Sequence, residues 1–249
     1  MMCNSAQRPR RRVSALLGLL ILACSAAAFG ADAHPLPLFH AQYSLKRNGV
    51  ILGRSERSLS VNPAGDYVYS SDTYAIGLIA WFVKDKIKEQ SVWRLEDGHL
   101  RPLEYVYSRE GGRKTRNIKL AFDWPHHSVV NTVDKDPWRM EIPPGAQDKL
   151  VYQLSIMYDL LKGRKDLEYQ IADGGKLKDY QFEIQGQEVI STPIGEINTV
   201  RIQRIGDRRD TIVWCAPQYS YLPVRLEQQD TDGAELQMQL ISLDGIARR

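Results

Sequence analysis

The 249 residues hold 33 basic and 30 acidic side chains, a formal charge of +3. Residues 1–33 carry four of the arginines and one acid, Asp32, so the remainder is neutral, and charge gives no reason to expect nucleic acid or an anionic membrane as a partner. That remainder, roughly 215 residues without heptads, low-complexity tracts or linkers, lies within the range of a single all-β domain.

The N-terminus reads as an export signal. Arg8, Arg10, Arg11 and Arg12 form a positive stretch, residues 13–23 an apolar core, and small residues lead to Ala31-Asp32-Ala33, the pattern of a signal-peptidase site. The apolar run is too short for a transmembrane helix. A lipoprotein signal is the competing reading, because Ile21-Leu22-Ala23-Cys24 sets a cysteine after a small residue. Leu22 is larger than the residue usual at that place. The expectation is a signal peptide at 1–33 and a soluble periplasmic domain over 34–249, with its core at about 40–243. The alternative is an outer-membrane lipoprotein anchored at Cys24. With Cys3 and Cys24 in the leader, Cys215 stands alone, and its apolar strand predicts a buried, inert thiol.

From residue 40 onward, turn pairs recur at short intervals: Asn48-Gly49, Asp97-Gly98, Gly111-Gly112, Gly174-Gly175 and Asp232-Gly233. Each separates segments rich in β-branched and aromatic residues, the pattern of hairpins. Tyr43 and Leu45 pair across the first turn with a strand that runs to Val61. Residues 67–74, 87–95, 103–107, 116–122, 129–133 and 138–142 continue the meander. Within it, residues 75–83 (AIGLIAWFV) have no charge and no hydrogen-bonding side chain except the Trp81 indole. They are either a core strand or short buried helix plugging the sheet, or an apolar loop that lines or lids a pocket or touches lipid.

Residues 147–162 break the period of two. Leu150, Val151, Leu154, Met157, Tyr158 and Leu161 fall at helical spacing, Gly163 ends the run, and Pro143-Pro144 stops the preceding strand. The stripe predicts an amphipathic helix packed on the concave face or open end of a curved sheet. Residues 192–240 then read as four more strands. Val200 and Ile202, then Leu222, Val224 and Leu226, then Leu236, Met238 and Leu240 alternate with polar neighbours such as Arg201, Arg225 and Gln237. The strand at Ile212 and Trp214 is apolar on both faces. Pro217 and Pro223 cannot donate to a ladder and bracket a break. The expected fold is mostly β: a curved antiparallel sheet or half-barrel of about twelve strands, with the helix packed against it.

Three stretches carry a family resemblance: residues 148–161 (DKLVYQLSIMYDLL), 192–204 (TPIGEINTVRIQR) and 211–227 (TIVWCAPQYSYLPVRLE). Together they resemble the uncharacterised bacterial envelope family known as domain of unknown function 3108. The resemblance covers most of residues 40–243. It implies an exported, β-rich Gram-negative envelope protein with no established activity, so there are no catalytic residues to carry over.

Recognisable chemistry is absent from the linear pattern: no GxSxG elbow, HExxH, glycine-rich phosphate loop or paired CxxC. His126-His127 are neighbours, which on a strand point to opposite faces, so no metal site and no cofactor are expected. Asp66, Asp72, Asp85, Asp123 and Asp134 are scattered, and no spacing selects a catalytic pair. A hydrolase acting on envelope polymer is the least favoured class. The favoured reading is a noncatalytic binding or carrier module for an apolar or amphipathic ligand. Tyr74, Ile76, Leu78, Trp81, Phe82, Leu154, Met157 and Tyr158 are its expected cleft, between curved sheet and helix. The alternative is an assembly factor that binds another envelope protein through sheet edges.

Overall fold

The computed structural model describes residues 1, 34–82, 84–112, 115–206, 210–229 and 233–248. The expected export signal with Cys3 and Cys24, Val83 and Asp232 lie outside the described residues. Asn48-Gly49, Asp97-Gly98 and Gly174-Gly175 each have φ between 48 and 77° at both positions. That is the twist of a two-residue hairpin turn, which glycine adopts freely and Asn or Asp tolerate.

Eight strands precede the helix: β1 (Phe39–Arg47), β2 (Val50–Val61), β3 (Tyr67–Ala75), β4 (Lys86–Glu96), β5 (His99–Glu110), β6 (Arg116–Asp123), β7 (Ser128–Val133) and β8 (Asp136–Glu141). The helix α1 spans Val151–Leu161. Six strands follow: β9 (Leu167–Asp173), β10 (Lys176–Thr192), β11 (Gly195–Ile205), β12 (Thr211–Ala216), β13 (Leu222–Gln229) and β14 (Glu235–Asp244). They form one 14-stranded antiparallel sheet in the order β8-β7-β6-β5-β4-β3-β2-β1-β14-β13-β12-β11-β10-β9. The expected twelve strands thus become fourteen, the added pair being β9 and β10 on either side of Gly174-Gly175.

The meander is cut once, at the helix. Strands β1 to β8 step outward to one edge, the chain crosses through α1 to the other edge, and β9 to β14 step back until β14 pairs with β1 (His40 opposite Asp244, Leu45 opposite Met238). Hydrogen bonds do not close the sheet into a barrel. Its two edges still approach one another. Gln147 bridges Ile171 of β9 in parallel, donating to the Gln170 carbonyl and accepting from the Ala172 N–H at 2.8 Å each. Trp138 of β8 lies so near the β9–β10 turn that a Cβ on Gly175 would come within 2.6 Å of its indole. The segment after β8 covers backbone groups that a bare edge would leave open to other chains.

The curl decides the fate of the helix. An amphipathic helix covered on one stripe was expected over 147–162; α1 is shorter and is buried nearly all round, with only Leu161 exposed and Tyr152 and Gln153 half-buried. A helix enclosed by a curved sheet has no wet face to keep polar. Val151, Leu154, Met157 and Tyr158 enter the larger core with Trp93, Tyr105, Leu120 and Val129, while Ile156 and Leu160 enter a second cluster with Leu167, Ile171, Phe182 and Ile202. Each such side chain contributes about 1.5–3 kcal/mol on burial. The polar residues of the helix find partners inside: Ser155 accepts from Gln147 Nε2 at 2.7 Å, and Asp159 accepts from Tyr169 Oη and Arg164 Nη1 at 2.9 Å each. Gly163 follows at φ +72°, its N–H donating to the Leu160 carbonyl at 3.1 Å.

Cys215 sits in the second cluster, fully buried. Burial pushes its thiol up to about 12, which keeps it protonated. Iodoacetamide should therefore leave Cys215 unmodified in the native protein and label it fully in concentrated urea, as read by mass. Native labelling at the unfolded rate would show that the β12 cluster is loose.

Candidate functional site

The helix does not fill the whole interior. Its half-buried residues Tyr152 and Gln153, with Ile156 and the preceding Lys149, face strands of the second half of the sheet across a cavity of about 580 Å³. That volume falls within the roughly 300–1,000 Å³ usual for small-ligand sites. Period-two alternation supplies the walls: Tyr180 and Phe182 from β10, Val213 from β12, Leu226 from β13 and Met238 from β14 all point inward. Arg57 enters from β2, Arg204 from β11, Asp173 from the end of β9 and Lys178 from β10.

The charges along this wall differ in how they are held. Asp173 engages both lysines, Lys178 at 2.5 Å and Lys149 at 3.4 Å. Burial alone would raise its carboxyl, but the two ammonium groups draw it below the usual carboxylate range, so it stays ionised and occupies both lysines. Arg204 stacks its guanidinium 3.4 Å from the Tyr180 ring centroid. Arg57 lies 5.4 Å from the Tyr43 ring centroid and donates from Nη1 to Gln153 Oε1 at 2.7 Å, while its buried Nε has no partner. Tyr69 and Glu89 also bear on Arg57 electrostatically. Glu89 accepts from Tyr105 Oη at 2.6 Å. Burial raises the Tyr152 phenol, which stays protonated as a donor facing the cavity.

One buried acid has the character of a catalytic group but is engaged elsewhere. Burial raises the Asp148 carboxyl to about 6, against hydrogen bonds from Ser91, Val151 and Leu150. Its Oδ1 accepts the Leu150 and Val151 N–H groups at 2.7 and 2.9 Å, and Oδ2 accepts the Ser91 hydroxyl at 2.5 Å. Both oxygens serve the start of α1 and its attachment to β4. Asp123 accepts from His126 Nδ1 at 2.8 Å, and His127 sits at φ +46° in a turn. Among the described residues no three His, Cys, Asp or Glu side chains are placed to hold a metal.

The family model described as protein of unknown function DUF3108 matches residues 42–241. The chain belongs to that family. The match spans every strand from β2 to β13, the helix and all the cavity-lining residues named above. No curated protein matches the chain. Among solved structures, it is similar to a beta-barrel-like protein of domain of unknown function DUF1849 from Brucella abortus, at TM-score 0.55 and 11% identity over 84% of this chain and 98% of that one. At that identity the likeness concerns the fold alone. A protein described as a lipoprotein from Parabacteroides distasonis aligns at TM-score 0.33 and 12% identity over 84% and 98% of the two chains. MucB in complex with MucA(peri) aligns at 0.17 and 10% over 85% and 94%. Neither of these two scores supports an argument.

In this DUF3108 chain the residues expected to form one cleft lie in three settings. Leu154, Met157 and Tyr158 turn into the larger core. Tyr74 is half-buried at the end of β3, donates to Glu56 Oε1 at 2.7 Å, and lines an apolar hollow of about 240 Å³ with Leu45, Leu52 and Ile87. Ile76 is half-buried, its N–H bonded to the Leu52 carbonyl at 3.1 Å. Leu78, Trp81 and Phe82 are exposed at 84, 80 and 89%. The run 75–82 is therefore neither core strand nor buried helix. It is a short 3-10 turn, Gly77–Trp81, with no buried residue, between β3 and β4. The part of the interior under the larger core cluster is occupied by α1 instead. None of these eight residues lines the 580 Å³ cavity. Arg57, Tyr180 and Arg204 on strands and Tyr152 on α1 do, and for the three strand residues alternation was the only sequence signal that pointed to them.

Proposed function

We propose that this DUF3108 member is a noncatalytic, exported envelope protein that binds an amphipathic ligand in the cavity beside α1. The observation that carries the reading is the mixed wall of that cavity, apolar side chains from four strands and the helix on one part and cationic groups on another. The leader read from Arg8 to Ala33 supports export to the periplasm, with anchoring at Cys24 as the alternative form. The apolar tip Leu78, Trp81 and Phe82, with Tyr74 and Ile76 at its base, serves in this reading as a contact for lipid chains rather than as the wall of the cavity. No observation favours catalysis over binding: of the two buried acids whose carboxyls burial raises, Asp148 holds the start of α1 and Asp159 is held by Tyr169 and Arg164.

Native mass spectrometry of the protein purified from envelope fractions tests the reading. A small-molecule adduct released on denaturation is the expected result. Recovery of bare polypeptide alone, in gentle detergent-free preparations, would overturn it.

A further inference from the structure

We infer that the apolar hollow at the base of the tip is the doorway to the cavity, and that the acyl chain of an amphipathic ligand passes through it directly between protein and lipid bilayer. This rests on the reading of cavity and tip given above and adds to it a route and a mode of exchange.

Register places the route. Neighbouring strands are antiparallel, so the turn at Asn48-Gly49, the segment between β3 and β4 and the turn at Gly174-Gly175 all lie at one end of the sheet. The hollow opens at that end because small residues meet there. Gly53 lies opposite Ala75, with Leu45 opposite Gly53 on one side and Ile87 opposite Thr73 on the other. A side chain at position 53 has no room, since a Cβ would come within 2.6 Å of the Tyr74 carbonyl oxygen.

Two cross-strand pairs then join the hollow to the 580 Å³ cavity. Leu45 of the hollow is opposite Met238 of the cavity, and Leu236 of the hollow is opposite Gln228 of the cavity. Directly opposed residues have Cβ atoms about 4.5–5.5 Å apart, so the two walls touch. Leu236 and Met238 are also two residues apart on β14 and point to the same face. Met238 in turn is opposite Leu226, which carries the apolar wall on into the cavity.

The tip is built onto the rim of this doorway. The chain leaves the lining of the hollow at Ala75 and returns to it at Asp85, and between them stand the exposed Leu78, Trp81 and Phe82. Both ends are fixed: the Ile76 N–H donates to the carbonyl of Leu52, itself a lining residue, at 3.1 Å, and Asp85 pairs with Arg109. A bilayer that takes up the three side chains therefore meets the mouth of the hollow. A hydrocarbon chain released through water exposes all its apolar surface, whereas one handed from hollow to lipid does not. A peptide is the poorer occupant. The strands that form the hollow, β14 and β1 to β4, are paired on both sides, so they have no backbone groups to satisfy those a peptide would bring in.

Stopped-flow transfer of cis-parinarate from the purified exported protein to phosphatidylcholine vesicles carrying a nitroxide quencher tests the route. The transfer rate should rise in proportion to vesicle concentration, as exchange by contact requires. A rate independent of vesicle concentration, the mark of release through water, would overturn direct exchange and leave the ligand reading standing. Trp81→Ser with Phe82→Ser should slow transfer at least about tenfold while the affinity for cis-parinarate without vesicles holds. Unchanged transfer in that variant would remove the tip from the route. Ala75→Phe, which fills the hollow, should slow uptake and release together at least about tenfold, as a blocked passage does and a lost ligand contact does not. Ile87→Phe is read the same way where Ala75→Phe lowers the melting temperature. Full-speed exchange in both filled variants would overturn the hollow as the doorway. Failure of cis-parinarate to bind at all would sink the ligand reading on which the route depends.

Discussion

Replacing Asp148 by alanine is expected to destabilise the fold by about 3 kcal/mol at pH 5, read from urea unfolding. The side chain is fully buried and accepts three hydrogen bonds, two from the first N–H groups of α1 and one from Ser91 on β4. Alanine leaves all three donors without a partner, and each orphaned donor costs about 1–3 kcal/mol, less what the site recovers by relaxing. Asp148→Asn is the informative control. It keeps a carbonyl oxygen for the two backbone donors and presents an N–H to Ser91 Oγ, so its cost at pH 5 should be small.

The same pair of proteins tests the charge. Burial lifts the Asp148 carboxyl from 3.8 to about 6. The native state thus holds this proton more tightly than the unfolded chain does. The stability it contributes is full below pH 3.8 and is lost as pH rises through about 6. The stability of the wild type relative to Asp148→Asn should therefore fall across that window, by up to about 3 kcal/mol. Asp66, Asp123 and Asp173 have lowered carboxyls and act with the opposite sign at lower pH, but both proteins share them and the difference cancels. A flat difference between pH 4 and 7 would show that Asp148 is not the buried acid described.

The second large effect is expected at the apolar tip between β3 and β4. Leu78→Ser, Trp81→Ser and Phe82→Ser together should cut co-sedimentation with phosphatidylcholine vesicles at least about tenfold, since each large side chain entering lipid contributes about 1.5–3 kcal/mol. The melting temperature should hardly move, because these side chains are exposed and lie outside both core clusters. The tip is presented on a firm base. Asp85 pairs with Arg109 of β5, and the backbone of Lys84 runs so close to Gly111 that a Cβ there would meet its carbonyl oxygen at 2.0 Å. Zwitterionic vesicles suit the test because the chain beyond residue 33 has no net charge to draw it to an anionic surface. Unchanged sedimentation of the triple variant would remove the tip from the lipid-contact reading.

Most of the sheet was legible because period-two alternation and glycine turns are local properties. Arg47 opposite Val50 and Lys46 opposite Ile51 follow from Asn48-Gly49, whereas a bulge between Leu45 and Lys46 shifts Leu45 to Gly53 and Tyr43 to Ser55. The two uncounted strands show where the signal weakens. β9 alternates Leu167, Tyr169 and Ile171 inward as clearly as any other strand, but β10 exposes most of Lys176–Thr192, including Val189, and its outer stretch has no apolar face to read. The apolar run at 75–83 misled for a related reason. Hydrophobicity states what burial would contribute, not which segment takes the place, and in the larger core α1 takes it. The helix was visible by its spacing, but its enclosure depends on the curl of the whole sheet. The cavity is the least local feature. Arg57, Tyr152, Arg204 and Leu226 come from four elements, and only the complete sheet order brings them to one wall.

The pairing of β1 with β14 sets an order on assembly. Nearly every other ladder joins strands adjacent in the chain and can zip as soon as both have emerged. β1 alone waits: its partner lies some 200 residues later, with Arg47 opposite Leu236 and His40 opposite Asp244. During synthesis, the free side of β1 is an unpaired edge for nearly the whole length of the chain, and the nascent first half is the species most exposed to wrong pairing. A truncation that removes β14 therefore does more than shorten the sheet. It strands that edge permanently, and aggregation of the first half, rather than a smaller soluble domain, is the outcome its topology dictates.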